Sequence, residues 1–259
     1  MTLRAIDNTG TEYTSYLVSD VIRKIELLCP SCKQKLVWVN SDVKVKHFRH
    51  LTTCQYNTEP ESKEHIEMKK EIYELIKNNN NTQEIVYEKT VKNRIADIYL
   101  KDKAGQQIVV ECQCTKITAK EMSQRTKDYN DNNIYVLWIL NTKNFNAIDN
   151  LDTWSNKKLN KIVRVSNLEK ELHKTYFGRV YYFDVIKKCL YGTHFETYSN
   201  YKSYEFYTPG GELVCGEYTK YYKTVKYFSL IILEHFNLFC TKNDYTGKLI
   251  ARFADKKWW

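Results

Sequence analysis

The chain has 259 residues, 42% hydrophobic and 27% charged, with 40 Lys and Arg against 31 Asp and Glu, a formal net charge of +9. That length can bury a substantial core in one large domain or in two to three smaller units, and the basic excess favours polyanions without the charge density of a histone-like binder. No apolar run reaches the ~18 residues of a membrane span, and the N-terminus lacks the apolar core of a signal peptide, so a cytoplasmic protein without a membrane partner is expected, its eight Cys reduced.

Residues 1–28 predict alternating strands, with a turn at Asn8-Thr9-Gly10 and a return strand over Tyr16–Ile25. Cys29-Pro30-Ser31-Cys32 follows, then a strand at Leu36–Asn40, then His47-Phe48-Arg49-His50 and Cys54. Cys29, Cys32, His47 and His50 supply the sulfur and nitrogen ligands of a structural tetrahedral Zn²⁺ site. The histidine spacing is one shorter than in the usual finger, which keeps Cys54 open as a substitute for either histidine. The competing reading is a reduced thiol pair beside two surface histidines. Lys33, Lys35, Lys44, Lys46 and Arg49 surround the knuckle and suit phosphate contact.

Thr58-Glu59-Pro60-Glu61 reads as a capping box. It opens a helix that runs to about Lys77 and turns His65, Met68, Ile72, Leu75 and Ile76 inward, with Glu64 near the same edge. A strand at Ile85–Lys89 precedes a hairpin in which Ile95, Asp97 and Tyr99 share one face, as do Val109, Glu111 and Gln113. Asp102 and Gly105 form its turn, and pairing symmetric about Ala104 sets Asp97 directly opposite Glu111. Like charges opposed on a sheet cost about 0.2–1 kcal/mol unless solvent screens them or a cation lies between them. Mg²⁺, a hard ion held by one or two carboxylates, is the natural candidate; ordinary surface acids are the bland alternative. Thr118-Ala119-Lys120-Glu121 caps a second helix with Met122, Arg125 and Tyr129 on one stripe, where Arg125 suits phosphate contact. Ile134–Leu140 then reads as a buried, central, parallel strand.

Residues 146–259 alternate polar segments with Tyr-rich runs at Tyr176–Asp184, Tyr198–Tyr207 and Tyr218–Leu233. Core packing is the expected role of these aromatics, with stacking on single-stranded bases the alternative. Cys189, Cys215 and Cys240 are scattered and read as packing residues.

The order helix, three strands, helix, strand resembles the core of the restriction-endonuclease-like PD-(D/E)xK nucleases. The chain more closely resembles the CoiA-like competence family, through Cys29–Cys32 and His47–His50, ESKEHIEMK from Glu61, RIADIYL from Arg94, VVECQC from Val109, and RTKDY from Arg125 leading to IYVLWIL. The resemblance implies an α/β (α+β) fold: a restriction-endonuclease-like αβββαβ core over residues 58–145, a small N-terminal zinc-binding β region over 1–57 and a mixed C-terminal accessory region over 146–259. It implies a Mg²⁺- or Mn²⁺-dependent deoxyribonuclease, expected to cut as an endonuclease, in the processing or recombination of DNA taken up during competence.

Carried over by position, Glu64 resembles the helix acid, Asp97 the metal-binding acid and Glu111 the second metal ligand. Gln113 stands where the wider superfamily most often has Lys, although CoiA-like proteins resemble this chain in having Gln there. An amide orients a water but cannot deprotonate it, which makes Lys69, Lys116 or Arg125 the candidate source of the missing charge. The implied mechanism is Mg²⁺-assisted hydrolysis of a phosphodiester, with His65, Lys69, Arg125 and Tyr129 against the substrate phosphates. DNA, whether single-stranded, duplex or branched, is the expected partner, alongside a homodimer or a recombination or defence protein. Two alternatives stand beside this reading: an anti-invader defence nuclease with the same chemistry, and a non-catalytic zinc-knuckle DNA-binding protein.

Overall fold

The computed structural model describes residues 2–41, 45–53, 61–77, 81–144, 162–231 and 238–254. Near the N-terminus, β1 (Arg4–Ile6), β2 (Glu12–Thr14), β3 (Leu27–Leu28), β4 (Lys35–Val39) and β5 (His47–His50) form a sheet in the order β2-β1-β3-β4-β5. The first turn is where the sequence sets it: Gly10 takes a φ of 86°, and the Asp7 carboxylate accepts from the N–H groups of Thr9 and Thr11. Tyr16–Ile25 is not a return strand. It contains a 3-10 turn over Asp20–Lys24, because Val18, Ile22 and Ile25 recur at three to four residues, the spacing of a helical turn. Asp20 and Arg23 pair locally, and Ile22 drops onto a small core of Ala5, Leu27, Leu36, Trp38 and Phe48.

The second unit begins with α1 (Lys63–Lys77), followed by β6 (Thr82–Val91), β7 (Arg94–Asp102), β8 (Gln107–Gln113), α2 (Ala119–Asn130) and β9 (Tyr135–Asn141). This is the αβββαβ order expected from the sequence. β6, β7 and β8 pair antiparallel in succession, and β9 lies parallel to β8. The Thr118 hydroxyl accepts from Glu121 N–H at 3.0 Å and starts α2. Six of the seven β9 residues are buried, as a central strand covered on both faces requires. Trp138, Ile139 and Leu140 are at most 1% exposed, and burial of each such side chain contributes about 1.5–3 kcal/mol.

β10 (Ile162–Val163), α3 (Asn167–Thr175), β11 (Val180–Asp184), β12 (Cys189–Tyr207) and β13 (Leu213–Leu230) follow, and the sheet runs β10-β13-β12-β11-β9-β8-β7-β6. β14 (Leu238–Asn243) pairs with β15 (Lys248–Phe253), which meets β9 at Val136. The C-terminal region thus shares the sheet and core of the αβββαβ unit. Tyr176, Tyr181 and Tyr182 pack in that core as expected, but Tyr198, Tyr201, Tyr204, Tyr207, Tyr218 and Tyr221 are exposed. Core packing fails for these six because the outer halves of β12 and β13 pair only with each other. Among the described residues no helix is long and apolar enough to cross a membrane.

Candidate active site and metal centres

Pairing between β7 and β8 runs from Ile98↔Val110 to Lys101↔Gln107, symmetric about Ala104. One step beyond the Ile98↔Val110 pair, the same register sets Asp97 opposite Glu111. On the other side of β7, the pairs Tyr87↔Ile98 and Lys89↔Ala96 leave Glu88 opposite Asp97. Three carboxylates therefore stand in a row across three strands, and each is met by its own donors. Lys69 Nζ donates to Glu88 Oε1 at 2.6 Å. Asp97 Oδ2 faces His65 Nε2 at 3.2 Å and accepts from Cys112 N–H at 2.8 Å where the ladder ends. The Tyr129 hydroxyl donates to Glu111 Oε1 at 2.7 Å, and Arg125 pairs with Glu111 Oε2. Donors from α1 and α2, with the Cys112 N–H of β8, offset the like-charge repulsion that the register alone creates.

A fourth carboxylate enters from the start of α1. The helix begins at Lys63 rather than near Thr58. Ser62 Oγ accepts from His65 N–H at 3.2 Å and takes the capping role; Thr58, Glu59 and Pro60 lie outside the described residues. Glu61 is thereby left ahead of the helix, where its Oε1 accepts from Lys69 Nζ at 2.5 Å. Oxygen or nitrogen atoms of Glu61, His65 and Asp97 all lie within 4.8 Å of one another. Glu64, the acid expected from the sequence, instead pairs with the exposed Lys143 at 3.1 Å.

The charges are unevenly matched. Four carboxylates face two permanent cations, Lys69 and Arg125, together with His65. Burial pushes the Asp97 carboxyl up, but His65 and Lys69 outweigh it and hold Asp97 well below the usual carboxylate range. Burial raises Glu61 against the pull of Lys69, and raises Glu111 against Arg125. Lys69 is fully buried, yet Glu61 and Glu88 outweigh its desolvation and keep its pKa well above that of an ordinary lysine. It is a fixed positive charge 4.0 Å from Asp97, not a base.

The cluster opens into a cleft of ≈ 250 Å³ lined by Glu61, His65, Asp97, Gln113 and Arg125. Gln113 donates its Nε2 to Thr115 O at 2.7 Å. Lys116 is exposed and lies outside this cleft. The sequence did not single out Glu61 or Glu88 as site residues. Glu61 was hidden in an apparent capping box, and nothing in the sequence marks Glu88, which sits in β6 at a φ of 48°.

The opposite wall of the cleft is the cysteine knuckle, through Cys29, Ser31 and His50. Ligand atoms of Cys29, Cys32 and His50 lie within 4.8 Å of one another. His47 does not join them: positions three apart on a strand face opposite sides, and His47 is buried with Nδ1 2.7 Å from Val45 O. Three of the four expected ligands, Cys29, Cys32 and His50, thus come together, and Cys54, the expected substitute for a histidine, lies outside the described residues. Burial lowers the pKa of His50, favouring the neutral imidazole that a metal needs. The small sheet is joined to the larger one through Leu3 N–H to Glu88 Oε2 at 3.0 Å and Ser31 to Thr90 at 2.7 Å.

The family described as competence protein CoiA, nuclease-like domain, matches residues 61–206. The chain belongs to this family. Its match takes in Glu61, His65, Lys69, Glu88, Asp97, Glu111, Gln113, Arg125 and Tyr129, so the whole carboxylate cluster lies within the nuclease-like domain. Among solved structures, the chain is similar to a repair endonuclease from Pyrococcus abyssi at 20% identity and a TM-score of 0.24, over 32% of this chain and 39% of that one. The chain therefore spans well under half of that endonuclease's length. No curated protein matches.

Proposed function

We propose that this chain is a divalent-metal-dependent deoxyribonuclease that hydrolyses phosphodiester bonds as an endonuclease, in the processing or recombination of DNA during competence. The observation that carries this reading is the meeting of Glu61, His65 and Asp97 in one cleft, where carboxylates exceed permanent cations. The donors fit Mg²⁺ or Mn²⁺, both of which favour oxygen ligands. Glu61 Oε2 is buried without a hydrogen-bond partner, a costly arrangement unless something else engages it. Asp97 would be the shared ligand, with Glu61 and His65 on the α1 side and Glu111 on the β8 side. When bound, the ion supplies Lewis acidity toward a phosphoryl oxygen and lowers the pKa of a water.

The chain's own residues divide the remaining work. Gln113, its Nε2 held by Thr115, leaves Oε1 to accept a hydrogen bond from the attacking water and orient it. Arg125 neutralises a non-bridging phosphate oxygen, and Tyr129 holds the Glu111 carboxylate. Lys69 is enclosed by carboxylates, so it supplies the charge absent at position 113 as a fixed counter-ion rather than by touching phosphate. Cys29, Cys32 and His50, with Cys54, would hold a structural Zn²⁺ that stiffens the facing wall. In this organisation residues 1–57 form the zinc region, 58–145 the nuclease core and 146–259 an accessory region built onto the core's own sheet.

Purified protein with Mg²⁺ or Mn²⁺, offered single-stranded, duplex and branched DNA, should cut at least one of them; the absence of any cutting sinks the enzyme reading. A non-catalytic DNA-binding protein remains the rival, because both Glu111 oxygens are engaged by Arg125 and Tyr129. Metal-independent binding that survives Asp97→Ala with Glu111→Ala, in protein that does not cut, would favour that rival.

A further inference from the structure

The outer halves of β12 and β13 leave the ten-stranded sheet. β11 pairs with β12 only over Cys189–Thr193, and β10 with β13 only at Lys223 and Thr224. From Tyr198 to the turn at 208–212 the two strands pair only with each other among the described residues. A ribbon with no core to cover should be polar on both faces, and this one is not. Its register, Tyr198↔Tyr222 through Tyr207↔Leu213, sorts the side chains into two unlike faces. One face carries Tyr198, Lys202, Tyr204, Phe206, Tyr218 and Lys220, and no carboxylate over Tyr198–Phe206 and Val214–Tyr222. The other carries Glu205 and Glu217 beside Tyr201, Tyr207 and Tyr221, and no Lys or Arg over Ser199–Tyr207 and Leu213–Tyr221.

The rings of the basic face form a platform. Tyr204 and Phe206 lie 6.0 Å apart with their planes at 19°, and Tyr218 lies 6.2 Å from Tyr204. Gly216 stands opposite Tyr204, and a Cβ there would fall 2.4 Å from the ring, so the glycine lets the ring lie flat against the strand. Tyr204, Phe206 and Tyr218 remain 43%, 53% and 49% exposed.

We propose that this face binds single-stranded nucleic acid, with bases stacking on Tyr204, Phe206 and Tyr218 and phosphates meeting Lys202 and Lys220. The ligand must be a polyanion with exposed aromatic faces. A duplex keeps its bases stacked on one another, whereas an unpaired strand presents them. A second copy is the poorer occupant, because self-pairing of this face brings four lysines together. The proposal rests on the nuclease reading only for the purpose of the contact, which would hold a strand beside the cleft.

The test is fluorescence anisotropy of the full chain with a labelled oligo-dT, without added Mg²⁺ or Mn²⁺ and with the oligonucleotide checked for integrity. Phe206→Ala with Tyr218→Ala should weaken binding about tenfold or more, given the contribution of base–aromatic stacking. Lys202→Ala with Lys220→Ala should reduce the slope of log affinity against log salt by about 1.4. Tyr201→Ala with Tyr221→Ala, on the acidic face, should leave affinity within about twofold. Phe206→Leu with Tyr218→Leu keeps apolar bulk and should also bind weakly, which separates stacking from arm stability. Equal loss from both faces, no loss from the platform variants, equally tight and ring-dependent binding to duplex, or a dimer broken by the platform variants at unchanged affinity would overturn the proposal. Ring-dependent binding by a wild type that cuts no DNA would count against the nuclease reading alone.

Discussion

Lys69→Met would expose the electrostatics of the cluster. The Lys69 side chain is fully buried, 2.5 Å from Glu61 and 2.6 Å from Glu88. At an effective dielectric of about 20, each contact attracts by roughly 6 kcal/mol before desolvation, and moving three charges out of water offsets most of that. Methionine fills a similar volume but strands two buried carboxylates, so the expected loss is about 3–5 kcal/mol, the range for breaking one side of a buried ion pair. Urea unfolding at pH 7.5 measures it. The sign with pH follows from the raised Glu61 pKa: a carboxyl whose folded pKa exceeds its unfolded value takes up protons in the fold, so stability rises as pH falls toward the unfolded value of about 4.5. Relative to wild type, the variant should recover at pH 5.5, and Glu61→Gln with Glu88→Gln in the same chain should restore much of the loss. A loss below about 1 kcal/mol, or an equal loss in the double-Gln background, would mean that Lys69 does not neutralise Glu61 and Glu88.

His50→Ala should abolish bound zinc by elemental analysis, while His47→Gln should keep zinc and lower stability only, because His47 is buried on the face of β5 opposite His50. Equal zinc loss from both would restore the four-ligand set. His173 has its pKa lowered to about 3 by burial, His194 and Lys223, against an ordinary value of 6.5. As pH falls below about 6.5 the unfolded chain binds the proton first, so stability should drop by up to about 1.4 kcal/mol per unit until about pH 3. His173→Gln should flatten that dependence in urea melts at pH 7.5 and 5.5. Arg125→Lys keeps a cation beside Glu111 but loses the guanidinium fork; cleavage should fall about 10²–10³-fold with a near-native melting temperature.

Much of the fold could be read from side-chain periodicity. Alternation around Asp102 and Gly105 gave the β7–β8 register about Ala104, and the apolar run at Ile134–Leu140 gave the central strand. The site was less legible, for local reasons. Ser62 caps α1, so the helix starts at Lys63, and the carboxylate that comes near Asp97 is that of Glu61 ahead of the helix rather than that of Glu64. Glu88 depends on a backbone angle that its residue type does not announce. Strand alternation places His47 and His50 on opposite faces of β5, which a Cys-x2-Cys and His-x2-His pattern does not carry unless that stretch is recognised as a strand. The aromatic runs of β12 and β13 did not say which rings would find a neighbour, because that depends on how far the sheet extends.

The most direct measurement compares cleavage by wild type, Asp97→Asn, Glu61→Gln and Glu64→Gln across a Mg²⁺ and Mn²⁺ titration, with folding of each confirmed by its melting temperature. Asp97→Asn and Glu61→Gln should each lose at least about 10²-fold or need far more metal, while Glu64→Gln, whose carboxylate pairs with Lys143 at the surface, should cut like wild type. Full activity in Asp97→Asn, or a loss in Glu64→Gln with Glu61→Gln unaffected, would contradict the assignment of the metal site to the Glu61–His65–Asp97 cleft.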